Sequence, residues 1–560
     1  MPREIDDLLA RHKRLKDQRR LWESHWQELA EVMLPRRADF TTEHLAGERR
    51  RDHLFDGTPM LARRGLSAAI DGLLKPKTAR WFRIKTRDED LGEDESVKRW
   101  LELAEERLYR ALYDRQARFI QRSGEVDDDL VTFGTGVLFV GEGRDLNRLL
   151  FRSFHLKDVV LGENADGEID TVFVTLRLTA RQAAQRFGEA ALGRDTREAL
   201  KDGGEDKPFT FLQAVMPRRP RDSRRRDNAS LPFASVVIDV QSEHRVSESG
   251  YHEFPFAVPR WDTAAGEVYG RSPGMIALPD ANSLQQMGKT LLVAGHKAVD
   301  PPLLVGDDSV FGTPKTFPGG ITTFDMQAAR DLGRIPIEPL QTGFNLPLGR
   351  EMQKDARDQI WAAFFRNVLQ LPVDAPRMTA TEVLERKEEF IRTIGPVFGR
   401  LESDYIGQVV ERSFNILLRA GAFPEAPEIL QGRDVVFDFA SPVEQARRQI
   451  EAAGAARSVE LLAPFVQADP GILDNFDGDA IARDTPEIFG MPQRWLRPKE
   501  EVESLREGRQ QAQPGAALPG IAAPDDTAAG GGTGGDIVQA LAQAAGVSPG
   551  GGSSDTGGPG

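Results

Sequence analysis

The chain has 560 residues, 40% hydrophobic, 29% charged and 8% aromatic, which is enough apolar material for a large core and too much for disorder throughout. Cysteine is absent, so disulfide scaffolds, thiolate metal sites and cysteine nucleophiles are excluded. Lys and Arg number 73 against 87 Asp and Glu, a net charge of −14, which argues against a protein that grips nucleic acid over its whole surface.

At about 150 residues per domain, three to four domains are expected. No apolar run approaches the length of a membrane span. The start, Met1 to Lys16, lacks the apolar stretch of a secretory signal, so the chain is expected to be cytosolic at synthesis.

Residues 3–33 read as an amphipathic helix, with Ile5, Leu8, Leu9, Leu15, Trp22, Trp26, Leu29 and Met33 at three- and four-residue spacing and Pro35 as its stop. A second helix is expected from Ser96, as N-cap, to Gly124, with Trp100, Ala104, Leu108, Leu112 and Phe119 on one face. Strand-like pieces are 81–84, 136–140, 172–176, 209–216 and 235–240, broken by Gly, Asp-Gly and Pro. Residues 1–265 therefore read as one mixed α+β domain with helices early and strands late. Two charged runs, Arg218 to Arg226 and Asp88 to Glu95, read as solvated surface loops.

The middle of the chain changes character. Residues 280–298 are helical in pattern and Pro301-Pro302 ends them. A stretch rich in Gly and Pro follows, with short β-like pieces at 303–305 and 335–337, before a second helix begins near Pro347 and runs to Phe364 or Phe365. Two helices of about 19 residues, each roughly 28 Å long, should thus form an antiparallel pair with a small knob at its far end. Thr379 and Glu382 then form a capping box for an apolar stripe that runs from Phe390 to Leu417 and stops at Gly421. Some 42 residues would span roughly 63 Å if straight, but Gly395-Pro396 sits inside and predicts a kink. Shorter helices are expected at 443–456, 459–466 and 499–510. Residues 511–560 are Gly- and Pro-rich without Lys or Arg and read as a disordered tail, apart from the helix-prone stretch 536–543.

A search for chemistry finds fragments. Gly288-Lys289-Thr290 copies the end of a phosphate loop, but Ser283 occupies the position of the required glycine and the preceding residues are helical. A small residue at a helix crossing is the better reading. Gly134-Thr135-Gly136 lacks the rest of a dinucleotide motif and marks a tight turn entering a strand. The eight histidines are scattered without metal-ligand spacing, and Gly478 is at the wrong offset for a calcium loop. The sequence carries no complete catalytic motif, and no cofactor is expected.

The order of local signatures resembles portal proteins, the head-to-tail connectors of short-tailed bacteriophages. The pieces are Trp22 to Trp26 with Leu34 to Arg37, Leu54-Phe55-Asp56 with Gly72-Leu73-Leu74, Trp81-Phe82, Phe133 to Gly136, Tyr269 to Gly274, Pro301 to Val305, Pro318-Gly319-Gly320 and Met378 to Val383. They are collinear over residues 20–505. The resemblance implies a portal-type subunit. Residues 1–265 would be the wing, 266–299 and 346–366 the stem helices, 300–345 the clip and 367–378 the tunnel loop. Residues 379–439 would carry the kinked wing helix, 440–510 a helical crown and 511–560 the tail.

It also implies a ring, usually of twelve subunits, at one capsid vertex, with double-stranded DNA in the channel. The implied partners are a terminase motor, tail adaptors, and capsid and scaffolding proteins, with no membrane, no catalytic residues and assembly in the host cytoplasm. DNA-facing candidates are Leu369, Gln370, Leu371, Pro372, Val373, Asp374, Arg377 and Met378 in the tunnel loop, and Lys289, Lys297, Lys354 and Arg357 on the stem. Twelve chains at −14 carry −168 per ring, which suits a bore through which DNA slides without being held. The competing classes are a DNA-packaging or DNA-remodelling enzyme, which would need a complete phosphate loop or a carboxylate metal cluster, and a capsid shell subunit.

Overall fold

The computed structural model describes residues 2–43, 54–77, 80–88, 94–143, 148–219, 227–299, 301–305, 346–366, 395–433, 435–439, 477–488 and 499–511, with single residues and pairs between them. The chain divides into two units, Met1–Pro492 and Gln493–Gly560. In the second, Lys499–Gln511 is helical.

The first unit mixes helices with antiparallel sheets, as the sequence predicts. Its N-terminal helix, Pro2–Met33, packs on a five-stranded sheet formed by Val159–Glu163, Ile169–Thr179, Pro208–Pro217, Phe233–Asp239 and His244–Tyr251, in that spatial order. Leu8 packs with Val236 and Ile238, and Leu9 and Leu15 pack on Val160, Phe173 and Leu212. Arg19 is buried on this face, and its guanidinium donates to the carbonyls of Leu156, Val159 and Lys157. Further along, Trp26 is wholly buried against Phe40, Phe133 and Tyr269. Its Nε1 donates to the Phe133 carbonyl at 3.2 Å.

One expectation needs correction. The single helix from Ser96 to Gly124 is two helices, Glu95–Leu112 and Phe119–Phe133. Asp94, not Ser96, is the N-cap; its carboxylate accepts from the Ser96 and Val97 amides. The acidic run thus ends in a cap, which favours an anion at a helix start. The break between the helices is local chemistry. Asp114 accepts from the Gln116 amide at 2.7 Å in an Asx turn. Arg118 then adopts φ +59°, and Phe119 drops into the core beside Tyr113 and Phe151.

The helix Phe119–Phe133 carries three successive aspartates, each taken by a different cation. Asp127 pairs with the buried Lys75, Asp128 with Arg36 and Arg63, and Asp129 with Arg37 at 3.3 Å. Burial pushes the Asp127 carboxyl up to about 6 even though Lys75 opposes it, as desolvation penalises the charged form.

Of the long helix expected over 379–421, residues from 395 onward are described. Gly395 and Pro396 begin the stretch; residues 395–401 are helical. A π-turn at Glu402–Gly407 and the α-helix Gln408–Arg419 follow. The π-turn was not foreseen. It delivers Tyr405 into the interior, where its hydroxyl donates to the Ser123 carbonyl at 3.3 Å and the Lys75 ammonium sits over its ring. Gly421, at φ +68°, follows the helix end. A helix at Gly478–Ile488 also went unpredicted. Of the expected helices at 443–456 and 459–466, Gly454, Leu462 and Pro464 are described, as helical, and the rest, with the tail beyond 511, lie outside the described residues.

The tightest packing is backbone on backbone. Gly134, at φ +83°, ends the helix Phe119–Phe133, and a Cβ on either Gly134 or Gly270 would strike the other's carbonyl oxygen. The Gly270 amide donates to Thr135 Oγ1 at 2.8 Å, and Ser272 Oγ donates to the Thr132 carbonyl at 2.7 Å. Gly270→Ala should therefore cost roughly 2–4 kcal/mol, among the larger effects of a single substitution. Urea denaturation of the variant checks this; a midpoint within error of the parent would show that the contact yields.

Candidate functional site

The two middle helices are Pro273–Val299 and Leu346–Ala363. The first begins earlier than the sequence predicts, because Ser272 Oγ accepts from the Met275 amide and Pro273 needs no amide partner in the first turn. Gly288 approaches Gln353 and Gly349 approaches Leu291, so the pair is antiparallel. Gly349 lets the helices close up, since a Cβ there would press on Leu291, and Gly288 makes room for Phe55, on which its Cβ would press. Gly288-Lys289-Thr290 thus lies in mid-helix, where the backbone amides are spent on helical bonds and cannot cradle a phosphate. The small-residue reading holds.

Between the helices, Leu303–Val305 pairs antiparallel with Ile337–Pro339, and Val310–Phe311 with Thr323–Phe324. The outer pair joins the end of one helix to the approach of the next.

The other end of the helix pair is seated on the segment Phe55-Asp56. Gln285 Oε1 accepts from both the Phe55 and Asp56 amides, at 2.7 and 2.9 Å, and its Nε2 donates to the Asp56 carbonyl at 2.7 Å. The Asp56 carboxylate accepts from the Thr58 amide, starting the helix Thr58–Leu74, and from Arg357 Nε at 2.9 Å. Burial works against that charge, but the bonds from Thr58 and Arg357 outweigh it and hold the Asp56 carboxyl below the usual carboxylate range. One aspartate therefore caps one helix and clamps another.

This geometry sorts the candidate cations. Arg357 is engaged by Asp56. Lys289, Lys297 and Lys354 are exposed. Leu369, Gln370, Leu371, Pro372, Val373, Asp374, Arg377, Met378, Thr379 and Glu382 lie outside the described residues.

A second property of the pair is an outward apolar surface. Ile276 is 72% exposed, and Leu292, Val293, Leu348 and Met352 are each about half exposed. Gly349 meets Leu291, so Leu292, Val293, Leu348 and Met352 lie near one another, and large apolar side chains so grouped mark a surface that something else covers. These positions do not stand out in the sequence, because an exposed and a buried leucine look alike until the fold assigns faces. The Asp56–Gln285–Arg357 clamp was equally hidden, its partners being separated by 229 and 301 residues. No described helix is long and apolar enough to cross a membrane, and the described residues hold no group of three His, Asp or Glu arranged for a metal.

Several signatures that carry the resemblance meet along the helix Pro273–Val299 and its approach. Leu54-Phe55-Asp56 is gripped by the helix pair. Phe133 to Gly136 touches Tyr269 to Gly274 at its start, and Trp26 packs on Tyr269 and Phe133.

Comparison with known proteins agrees with that convergence. The model of a family described as bacteriophage head to tail connecting protein matches residues 6–496. The chain is 29% identical over 533 residues to a probable portal protein of Bordetella phage BPP-1, covering 91% of this chain and 92% of that protein. It is 28% identical over 522 residues to the portal protein of Salmonella phage epsilon15, covering 92% and 93% respectively. Among solved structures, a chain from the virion of a native gene transfer agent particle aligns with 79% of this chain and 95% of its own length, at 11% identity and a TM-score of 0.33. The family match runs through the α+β region, the helix pair and the segments beyond it, and the chain belongs to the bacteriophage head-to-tail connecting protein family.

Proposed function

We propose that this chain is the subunit of a portal, a closed ring at one vertex of a virion through which double-stranded DNA enters and leaves. The observation that carries this reading is the helix pair: it is anchored at one end by Asp56, bears a small β-paired insertion at the other, and near that insertion exposes Leu292, Val293, Leu348 and Met352. A neighbour in a ring covers such an apolar patch without a second protein. Two relatives of nearly full-length overlap bear the name portal protein.

In this reading residues 1–265 form the wing and 266–299 with 346–366 the stem. Residues 300–345 are the clip, where the terminase motor and tail adaptors dock, and capsid and scaffolding proteins meet the wing. The segment 367–378 is the tunnel loop, 379–439 runs back into the wing, and 440–510 is the crown. Lys289, Lys297 and Lys354 remain as stem cations for passing phosphates, and Arg357 is withheld by Asp56. A packaging enzyme is the weaker reading, because Gly288-Lys289-Thr290 is locked in a helix.

Negative-stain imaging of the purified full chain should reveal closed rings; monomers or closed shells would overturn the portal reading. Replacing 306–334 with a short Gly/Ser linker should leave rings intact while abolishing motor and adaptor binding in pull-down. Retained binding of both partners would remove the clip assignment. Deleting 371–376 should give intact rings whose particles package poorly or leak DNA, since Pro372 and Pro376 stiffen a segment meant to project. Packaging and retention equal to the parent would reduce that segment to a linker.

A further inference from the structure

Arg36, Arg63, Lys75, Arg357, Arg412 and Arg419 each sit on a carboxylate. The outward face of the N-terminal helix groups four cations that do not. Lys13, Arg14, Lys16 and Arg20 are all exposed, and none makes an ion pair with a described carboxylate. The opposite face is fixed by Arg11, which donates to Thr171, by Leu15 against the sheet, and by the buried Arg19. That anchoring points the four cations away from the sheet. At 100° and 1.5 Å per residue, Lys13, Lys16 and Arg20 fall within an arc of about 60° and a rise of about 10 Å. Asp17 is the acidic residue among them, and Asp6 and Asp7 lie nearly two turns away toward the N-terminus.

We infer that this face, formed by Lys13, Lys16 and Arg20 with Arg14 at its flank, binds the phosphate backbone of duplex DNA through residues other than the tunnel-loop and stem candidates. The presence of DNA beside the protein rests on the portal reading; the site itself rests on the helix. A duplex presents one phosphate per 3.4 Å along each strand, so a 10 Å row of long flexible cations faces two or three at once. The net −14 of the chain does not cancel this field, because charges beyond about 8 Å are screened at physiological salt.

Two rival partners fit less well. A protein partner needs an apolar centre, and the exposed large apolar residue on this stretch of helix is Leu21 alone. Single strands are held by stacking on open rings, yet Trp26 is fully buried and Trp22 is partly buried beneath Arg271. Three contacts per chain bind weakly, and a ring raises the effect through many simultaneous contacts.

The test measures binding of the full-length protein to a mixed-sequence linear duplex across a salt series. K13Q/K16Q/R20Q should make the negative slope of log K against log salt shallower by about 2.7 for each subunit that engages the duplex, at about 0.9 per cation. R194Q/R197Q/K201Q, which removes three charges from the helix Arg194–Lys201, should leave the slope unchanged. Absence of parental binding, an unchanged slope in the first variant, or equal losses in both variants would overturn the site. The same samples imaged by negative stain report ring formation separately, so failure of this site and failure of the portal reading give different results.

Discussion

Where Gly134 passes Gly270 the main chains touch with no side chain between them, and the elements of the first unit take their positions from that crossing. Gly134 ends the helix with the three aspartates and leads, through Thr135 and Gly136, into the strand Leu138–Glu142. Gly270 leads through Ser272 into the helix Pro273–Val299. The hydrogen bonds of Thr135 and Ser272 then lock one segment to the other. Because the contact is steric, it permits no gradual slippage: the helix pair either starts there or the two segments separate.

Around that crossing the molecule uses buried charge as a connector. Asp127, Asp128 and Asp129 point to three sides of one helix and reach Lys75, Arg63 with Arg36, and Arg37. Buried ion pairs add little net stability over apolar packing, but removing one partner strands a charge in the interior. Their value here is specificity. Each aspartate selects one neighbouring element, and Tyr405 enters the same pocket from the π-turn. Single-turn π insertions in α-helices are uncommon and concentrate at sites with a task; the task of this one is to bring a long tyrosine to Lys75 and Ser123.

Periodicity made the long elements legible in the sequence. The N-terminal helix, the antiparallel pair and most strands of the five-stranded sheet follow from apolar spacing and from Pro and Gly stops. The break at residues 113–118 was not legible, because Trp100 to Phe119 keeps a helical apolar rhythm across it. Only the Asx turn at Asp114 and the left-handed Arg118 reveal that Phe119 belongs to a second helix. Asp94 and Ser96, two positions apart, are equally plausible caps in the sequence, since both residue types cap well. The clamp at Asp56 was beyond reach for a different reason: charge pairing over 301 residues leaves no local trace. The face of Lys13, Lys16 and Arg20 belongs to the same class, since a cation reads the same in sequence whether it is paired or open.

The strand pair that joins Leu303–Val305 to Ile337–Pro339 has a consequence for how this chain tolerates change. By bringing the two ends of the insertion together, it fixes the boundary conditions of everything between them. Lengthening a closed loop is cheap, about 0.6 kcal/mol for each doubling, and that cost falls on the loop rather than on the helices behind the closure. Changes in chain length beyond the strand pair Leu303–Val305 with Ile337–Pro339 therefore leave the Gly349–Leu291 contact of the helix pair in register.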